Sequence, residues 1–288
     1  AMGGPMARNL LKAGHRLKVY DKAEAAIDAL VEAGAQPAVQ GDVARDVEVV
    51  VTMLRTGDVV TEVLTGAAGL LAQAKRDTLF IESSTIDVNT ARALSAHAAT
   101  AGMRLVDAPV SGGVPGAEAA TLTFMVGGEE RDVTRATPIL EAMGRSIVHV
   151  GAAGAGQAAK ICNNMILGVT TIAVAEAFRL GDRLGLEAET LYKIVSESSG
   201  NCWVLNTNHP VPDLVPTSAA NDNYRPGFSS SLMLKDLLLS QSAADHFGVY
   251  TPMGAKAAEL YDAFVQAGNA ELDYGGIIKQ LEAQESKR

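Results

Sequence analysis

Cysteine is scarce in this chain: Cys162 and Cys202 are two thiols in 288 residues. They form no Cys-x-x-Cys pair and no Cys/His ligand spacing, so neither a disulfide scaffold nor a structural zinc is expected, and a reducing compartment fits. Basic residues are also few. Lys and Arg total 24 against 33 Asp and Glu, a formal charge of -9, which argues against a nucleic-acid surface built on clustered cations. No apolar run reaches the roughly 18 residues needed to span a bilayer, and no signal peptide is visible. Cytoplasm is the expected location, or the mitochondrial matrix if the source is eukaryotic, with no membrane partner. What is present is ordinary for a globular protein, with 48% hydrophobic and 20% charged residues. The length suggests about two domains, each able to bury a core.

Two textures follow one another along the chain. Up to about residue 150, β-branched runs (16–20, 47–52, 78–81, 104–106, 122–126, 146–150) alternate with Ala-rich segments of helical spacing such as 23–33 and 88–101. That alternation predicts an α/β domain with a Rossmann-like, mainly parallel sheet over residues 1–150. Beyond it the β signal fades. Helices are predicted over 157–184, 188–196, 232–247 and 253–267, so residues 151–288 read as an all-α domain. Residues 201–228, rich in Asn and Pro, read as an ordered loop too long for a simple connector.

Met2-Gly-Gly-Pro-Met-Ala-Arg-Asn-Leu reads as the end of a Gly-x-Gly-x-x-Gly turn entering a helix, with Gly3 as the third glycine. A dinucleotide turn needs a preceding strand. The expectation is that the natural protein carries roughly ten more upstream residues supplying it, failing which cofactor binding is compromised. Asp21 stands near the distance at which a carboxylate meets the adenosine ribose, and there it would repel a 2′-phosphate, favouring NAD over NADP. Lys22 beside it weakens that preference. A plain helix start and a surface aspartate are the competing reading.

Four other places carry polar chemistry. Lys160 and Asn164 lie four residues apart where a Gly-rich turn gives way to a helix, so both fall on one face. They read either as a surface lysine beside an asparagine or as an ammonium and an amide handling a hydroxyl proton. Ser83-Ser-Thr-Ile-Asp87 reads as a helix cap, and Thr85 could also reach the nicotinamide ribose. Asp107-Ala-Pro-Val-Ser-Gly-Gly is either a glycine turn or a loop whose successive N–H groups at Ser111, Gly112 and Gly113 cradle a carboxylate. Lys235 and Asp236 sit within an apolar helix, where a functional pair competes with a buried structural one.

In their order and wording these segments closely resemble the β-hydroxyacid dehydrogenase family, essentially from end to end. Residues 2–10 match its nucleotide loop, Asp107-Ala-Pro-Val-Ser-Gly-Gly its substrate signature, Gly154-Ala-Gly-Gln-Ala-Ala-Lys-Ile-Cys-Asn-Asn its catalytic segment, and Leu232-Met-Leu-Lys-Asp-Leu its later Lys-Asp motif. Ser198-Ser-Gly-Asn-Cys-Trp and the following loop resemble the branch that oxidises 3-hydroxyisobutyrate. The resemblance implies an NAD-dependent oxidation in valine breakdown, with Lys160 as general acid–base and Asn164 orienting it. Ser111, Gly112 and Gly113 would hold the substrate carboxylate. Lys235 would line the cofactor and substrate side, lowering the Lys160 pKa, and Asp236 would steady its helix. Met2, Gly3, Asp21, Met53, Leu54, Thr85 and Lys235 would contact the cofactor. Trp203 and Phe228 would close the pocket, core packing being an equally good role for both. Substrate is expected between the domains, and a homodimer or homotetramer through the helical one.

Departures from the family pattern are Ala120, where relatives carry glycine, mild if its φ is negative, and Arg55 in place of a common proline. His149 and His209 read as structural. Alternatives within the family are a tartronate or succinate semialdehyde reductase, an imine reductase, against which Lys160 speaks, or a non-catalytic member. One methyl group changes selectivity by only ~1–3 kcal/mol, so substrate choice is not legible here.

Overall fold

β-branched runs bounded by turns become strands, and the most apolar of them are buried on both faces. A computed structural model describes residues 2–285, and the chain divides into two compact units, Ala1–Lys160 and Ile161–Arg288. The first contains α1 (Gly3–Lys12), β1 (Lys18–Val19), α2 (Glu24–Val31), β2 (Gln36–Pro37), β3 (Val49–Thr52), α3 (Gly57–Thr65), α4 (Leu70–Gln73), β4 (Leu79–Glu82) and α5 (Val88–Thr100). It continues through β5 (Arg104–Asp107), β6 (Val110–Ser111), α6 (Gly113–Glu118), β7 (Leu122–Gly127), α7 (Glu130–Glu141) and β8 (Gly144–Gly151).

Six strands form one sheet in the order β3-β4-β5-β7-β6, with β8 also paired to β7; β1 and β2 form a separate parallel pair. The pairs β3–β4, β4–β5 and β7–β8 are parallel, while β5–β7 and β6–β7 are antiparallel. Successive side chains of a strand point to opposite faces. Leu79, Ile81 and Val106 therefore enter one core with Met6, Leu10 and Phe124, while Phe80 and Leu105 enter another with Val60, Leu64 and Leu94. Helices cover both faces, as a parallel sheet requires. Each such side chain contributes about 1.5–3 kcal/mol by leaving water. In register, Thr52, Glu82, Asp107 and Gly127 form one row across β3, β4, β5 and β7.

The second unit is helical. α8 (Ala155–Arg183) starts in the first unit and runs into the second, followed by α9 (Ala188–Ser196), α10 (Trp203–Thr207), α11 (Ser230–Phe247), α12 (Pro252–Phe264) and α13 (Ile278–Glu285). Its main core joins Ile172, Met233, Leu237, Tyr261, Phe264 and Ile277. At Gly168 a Cβ would lie 3.0 Å from Leu237 Cδ2, so α8 and α11 meet closely. The Asn/Pro-rich loop is ordered from within. The buried Asp273 carboxylate accepts the Asn208 Nδ2, Gly227, Phe228 and Gly275 N–H bonds, and the Tyr224 hydroxyl donates to Pro210 O at 2.8 Å.

One expectation needs correction. α8 is long and apolar enough, by length and composition, to cross a membrane. Asparagines interrupt it, so no run stands out in the sequence. Ile172, Ala175 and Phe178 of this helix are buried in the cores of the helical unit.

Candidate active site

The carboxyl ends of the parallel strands are tied together by short polar contacts. Thr52, closing β3, donates its hydroxyl to the Glu82 carboxyl at the end of β4. The other Glu82 oxygen accepts Ser84 N–H at 2.6 Å, and Ser84 Oγ accepts Leu54 N–H at 2.7 Å. Burial pushes the Glu82 carboxyl from 4.5 up to about 7, against the pull of the Ser84 and Thr52 hydrogen bonds. Met53 and Leu54 follow β3 directly, and a Cβ on Gly3 would meet Met53 Cβ at 3.8 Å. Gly3, Met53, Leu54 and the Ser84 turn therefore form one rim. Thr85 lies half-buried in that turn, and Asp87 caps α5 by accepting Thr90 N–H at 2.8 Å. Asp21 is exposed beyond β1, where one of its oxygens accepts Ala23 N–H at 2.9 Å. Arg55 is exposed, and Met2 packs against the first core.

At the substrate-signature loop, Ser111 ends β6 and the chain reverses through Gly112 and Gly113, with φ of 133° and 62°. A φ of 133° is open to glycine alone, and 62° costs glycine nothing where a Cβ would be strained. Ala120 does not meet the condition set for it. Its φ is 55°, because α6 ends in a tight turn that returns Thr121 N–H to Gly116 O, so its Cβ is strained.

The start of α8 is fastened to the sheet by a residue the sequence reading left without a role. Asp107 Oδ1 accepts Gly154 N–H at 2.7 Å, and Oδ2 accepts Gln157 N–H at 3.0 Å. Burial pushes this carboxyl up to about 6 although those N–H bonds favour its ionised form. The Gln157 side chain, fully buried, accepts Ile86 N–H at 3.1 Å and donates to Ser84 O at 2.8 Å. Contact is so close that a Cβ on Gly156 would sit 2.3 Å from Met125 O. Lys160, 6% exposed, follows Gln157 by three residues on the same helix, and Asn164, 1% exposed, follows by one further turn. Asn164 Nδ2 donates to Asp236 Oδ2, Asn163 Nδ2 donates to Asn164 Oδ1 at 3.0 Å, and Lys235 Nζ pairs with Asp236 Oδ1 at 3.1 Å.

The structure thus gathers Asn164, Lys235 and Asp236 into one cluster. Trp203 is separate from the cores of its unit at 57% exposed, which removes core packing as its role. Phe228 packs on Tyr274, ring centroids 5.8 Å apart. His149 Nε2 lies 2.9 Å from Gly128 O and donates to it. Buried His209 accepts Val211 N–H at 3.0 Å, and burial lowers its pKa to about 4. Glu82, Asp107 and Gln157 were missed by sequence reasoning. The available signals were a carboxylate ending each of two buried strands and a glutamine following two glycines.

The residues at the strand ends fit a dinucleotide. A glycine opens α1 against Met53, a carboxylate follows β1, and small polar groups follow β4. In open α/β sheets the ligand crevice lies outside the carboxyl ends of the strands. Comparison with known proteins agrees. A family model described as the NAD binding domain of 6-phosphogluconate dehydrogenase matches residues 1–151. One described as NAD-binding of NADP-dependent 3-hydroxyisobutyrate dehydrogenase matches residues 154–281. A probable 3-hydroxyisobutyrate dehydrogenase of Mycobacterium tuberculosis is 48% identical, covering 98% of this chain and 95% of its own length. An NAD-dependent L-serine dehydrogenase of Pseudomonas aeruginosa is 45% identical, covering 96% and 94%. The solved structure of Mycobacterium tuberculosis 3-hydroxyisobutyrate dehydrogenase with L-serine has a TM-score of 0.92 at 48% identity, over 97% of this chain and 95% of that one. With both units matched and the likeness running nearly end to end, this chain belongs to the β-hydroxyacid dehydrogenase family and is an NAD-dependent hydroxyacid dehydrogenase.

Proposed function

We propose that the chain catalyses the reversible oxidation of 3-hydroxyisobutyrate to methylmalonate semialdehyde, a step of valine breakdown. The observation that carries this reading is a lysine buried on α8 one turn before an asparagine that is itself anchored by Asp236. A buried ammonium is costly unless it serves chemistry or a partner.

NAD, held by Gly3, Met53, Leu54 and Thr85, would supply the hydride acceptor for the carbinol carbon of the substrate. Lys160 Nζ takes the hydroxyl proton in oxidation and returns it to the nascent alkoxide in reduction. One Asn164 N–H is committed to Asp236 and one oxygen lone pair to Asn163, leaving one donor and one acceptor for the substrate hydroxyl. Ser111 and the N–H groups of Gly112 and Gly113 hold the substrate carboxylate, and Lys235 adds positive charge toward that anion and the cofactor. Gly3, Met53, Leu54 and Thr85 line the cofactor side, with Met2 beside them. Asp21 keeps an oxygen for the adenosine ribose and repels a 2′-phosphate. Trp203, exposed and aromatic, covers the apolar body of the substrate. Residues 1–150 serve as the dinucleotide-binding domain and 151–288 as the substrate and oligomerisation domain. Exposed apolar side chains in the helical unit, including Leu180, Leu184, Phe247 and Tyr250, support a homodimer or homotetramer. A cytoplasmic location, or a mitochondrial matrix one as for the mouse relative named mitochondrial, suits the free cysteines.

L-Serine is the second reading, favoured by the relative of that name and by the serine-containing structure. The two substrates share a carboxylate and a primary hydroxyl but differ in methyl against ammonium. Comparing kcat/KM for 3-hydroxyisobutyrate, L-serine and glycerate with NAD and NADP tests the proposal. A preference for 3-hydroxyisobutyrate with NAD is expected. Faster serine or glycerate turnover would overturn the substrate assignment while leaving the chemistry.

A further inference from the structure

Gln157 is buried completely, yet nothing in the acid–base chemistry needs it. Its amide is used from both ends on the turn after β4, accepting from Ile86 N and donating to Ser84 O. Its backbone N–H goes to the Asp107 carboxylate at the end of β5. One residue therefore joins three places: the Ser84–Ile86 turn that holds Thr85, the strand that leads into the Ser111 loop, and the first turn of α8, which presents Lys160 three residues later. Asp107 lies between. Its two oxygens take N–H groups from the same turn, and there is no slack around it. A Cβ on Gly127 would fall 2.6 Å from Asp107 Oδ1, and one on Gly156 2.8 Å from Oδ2.

We propose that Gln157 and Asp107 are positioning residues for the hydride and proton transfer, fixing the height and rotation of α8 so that Lys160 stands in register with the cofactor-side turn. This inference rests on the dehydrogenase reading of Lys160. A neutral amide suits the task because it offers a donor and an acceptor in one plane without adding charge beside Glu82 and Asp107. A displacement of about 1 Å in a reacting group can cost on the order of 100-fold in rate.

The test uses the full chain with Gln157→Leu, which keeps volume and removes both hydrogen bonds. Gln157→Asn, which keeps the amide at shorter reach, serves as the milder variant should the first fail to fold. Substrate deuterated at the carbinol carbon reports whether hydride transfer limits turnover. The expected result is kcat lowered by about 10- to 100-fold, KM for the hydroxyacid within about twofold, and a larger deuterium isotope effect on kcat. A merely structural role reduces the active fraction and leaves the isotope effect unchanged, which would overturn the proposal. A second readout is independent of substrate: carbamylation of Lys160 by cyanate, followed by peptide mass spectrometry. Its rate should change several-fold in the variants while exposed Lys12 and Lys256 are unaffected. An unchanged Lys160 rate would also overturn the proposal. Wild-type silence with every hydroxyacid, together with altered Lys160 labelling in the variants, would reject the dehydrogenase reading and keep the positioning role.

Discussion

Glu82 and Asp107 face one another in register at the ends of β4 and β5, each buried and each held by hydrogen bonds from its surroundings. The folded Glu82 carboxyl titrates near 7 rather than 4.5, so its contribution to stability is complete below about pH 4.5 and is lost as pH rises through 7. That displacement is worth on the order of 3 kcal/mol. Glu82→Gln keeps the shape and cannot ionise. Urea unfolding at a series of pH values should show a flatter profile for the variant between about 4.5 and 7, and identical slopes would contradict this. Ala120, with its positive φ, leads to a second expectation. Ala120→Gly should raise stability by about 1 kcal/mol, read as a higher denaturation midpoint. At this scale the sequence was only partly legible. Lys160, Asn164 and Ser111 announce themselves because their residue types are chemical. Asp107 shows no sign of its role in the sequence, because its partners Gly154 and Gln157 come some 50 residues later and only the closed sheet brings them near.

Long helices are the easiest elements to read and the shortest strands the hardest. Residues 188–196 were expected as a helix and form α9 with those bounds; residues 157–184 correspond to α8 within two residues at each end. Here apolar periodicity has many turns over which to show itself. β2 and β6 have two residues each, too few for any period. Residues 122–126 were legible as a strand run and form β7, but its antiparallel pairing with β5 and β6 is supplied only by the tertiary fold. The Gly-Ala-Gly-Gln start of α8 reads as a turn, yet Gly156 is there for proximity, with Met125 O and Asp107 O where a Cβ would be. Gly156→Ala should therefore destabilise the protein by about 1–3 kcal/mol through overpacking. Thermal unfolding measures the loss, and an unchanged midpoint would show that α8 can shift without cost.

For the whole molecule, the deficit of basic residues argues against a nucleic-acid polymer, and family membership points to a small hydroxyacid. The proposed oligomer would cover exposed apolar side chains of the helical unit, Leu180, Leu184, Phe247 and Tyr250 among them. Sedimentation should therefore give a dimer or larger assembly, and Leu184→Asp should shift it toward monomer; a wild-type monomer at all concentrations would refute the oligomer. The likeness to relatives over nearly the full chain makes the fold and the dehydrogenase class secure, whereas substrate choice turns on one small group in the pocket. The most direct measurement is the absorbance of reduced nicotinamide formed from NAD and 3-hydroxyisobutyrate by wild type and Lys160→Ala at equal, verified folding. Turnover in the wild type, reduced by about 100- to 10,000-fold in the variant, is the predicted result. Equal turnover in both would contradict Lys160 as the acid–base group.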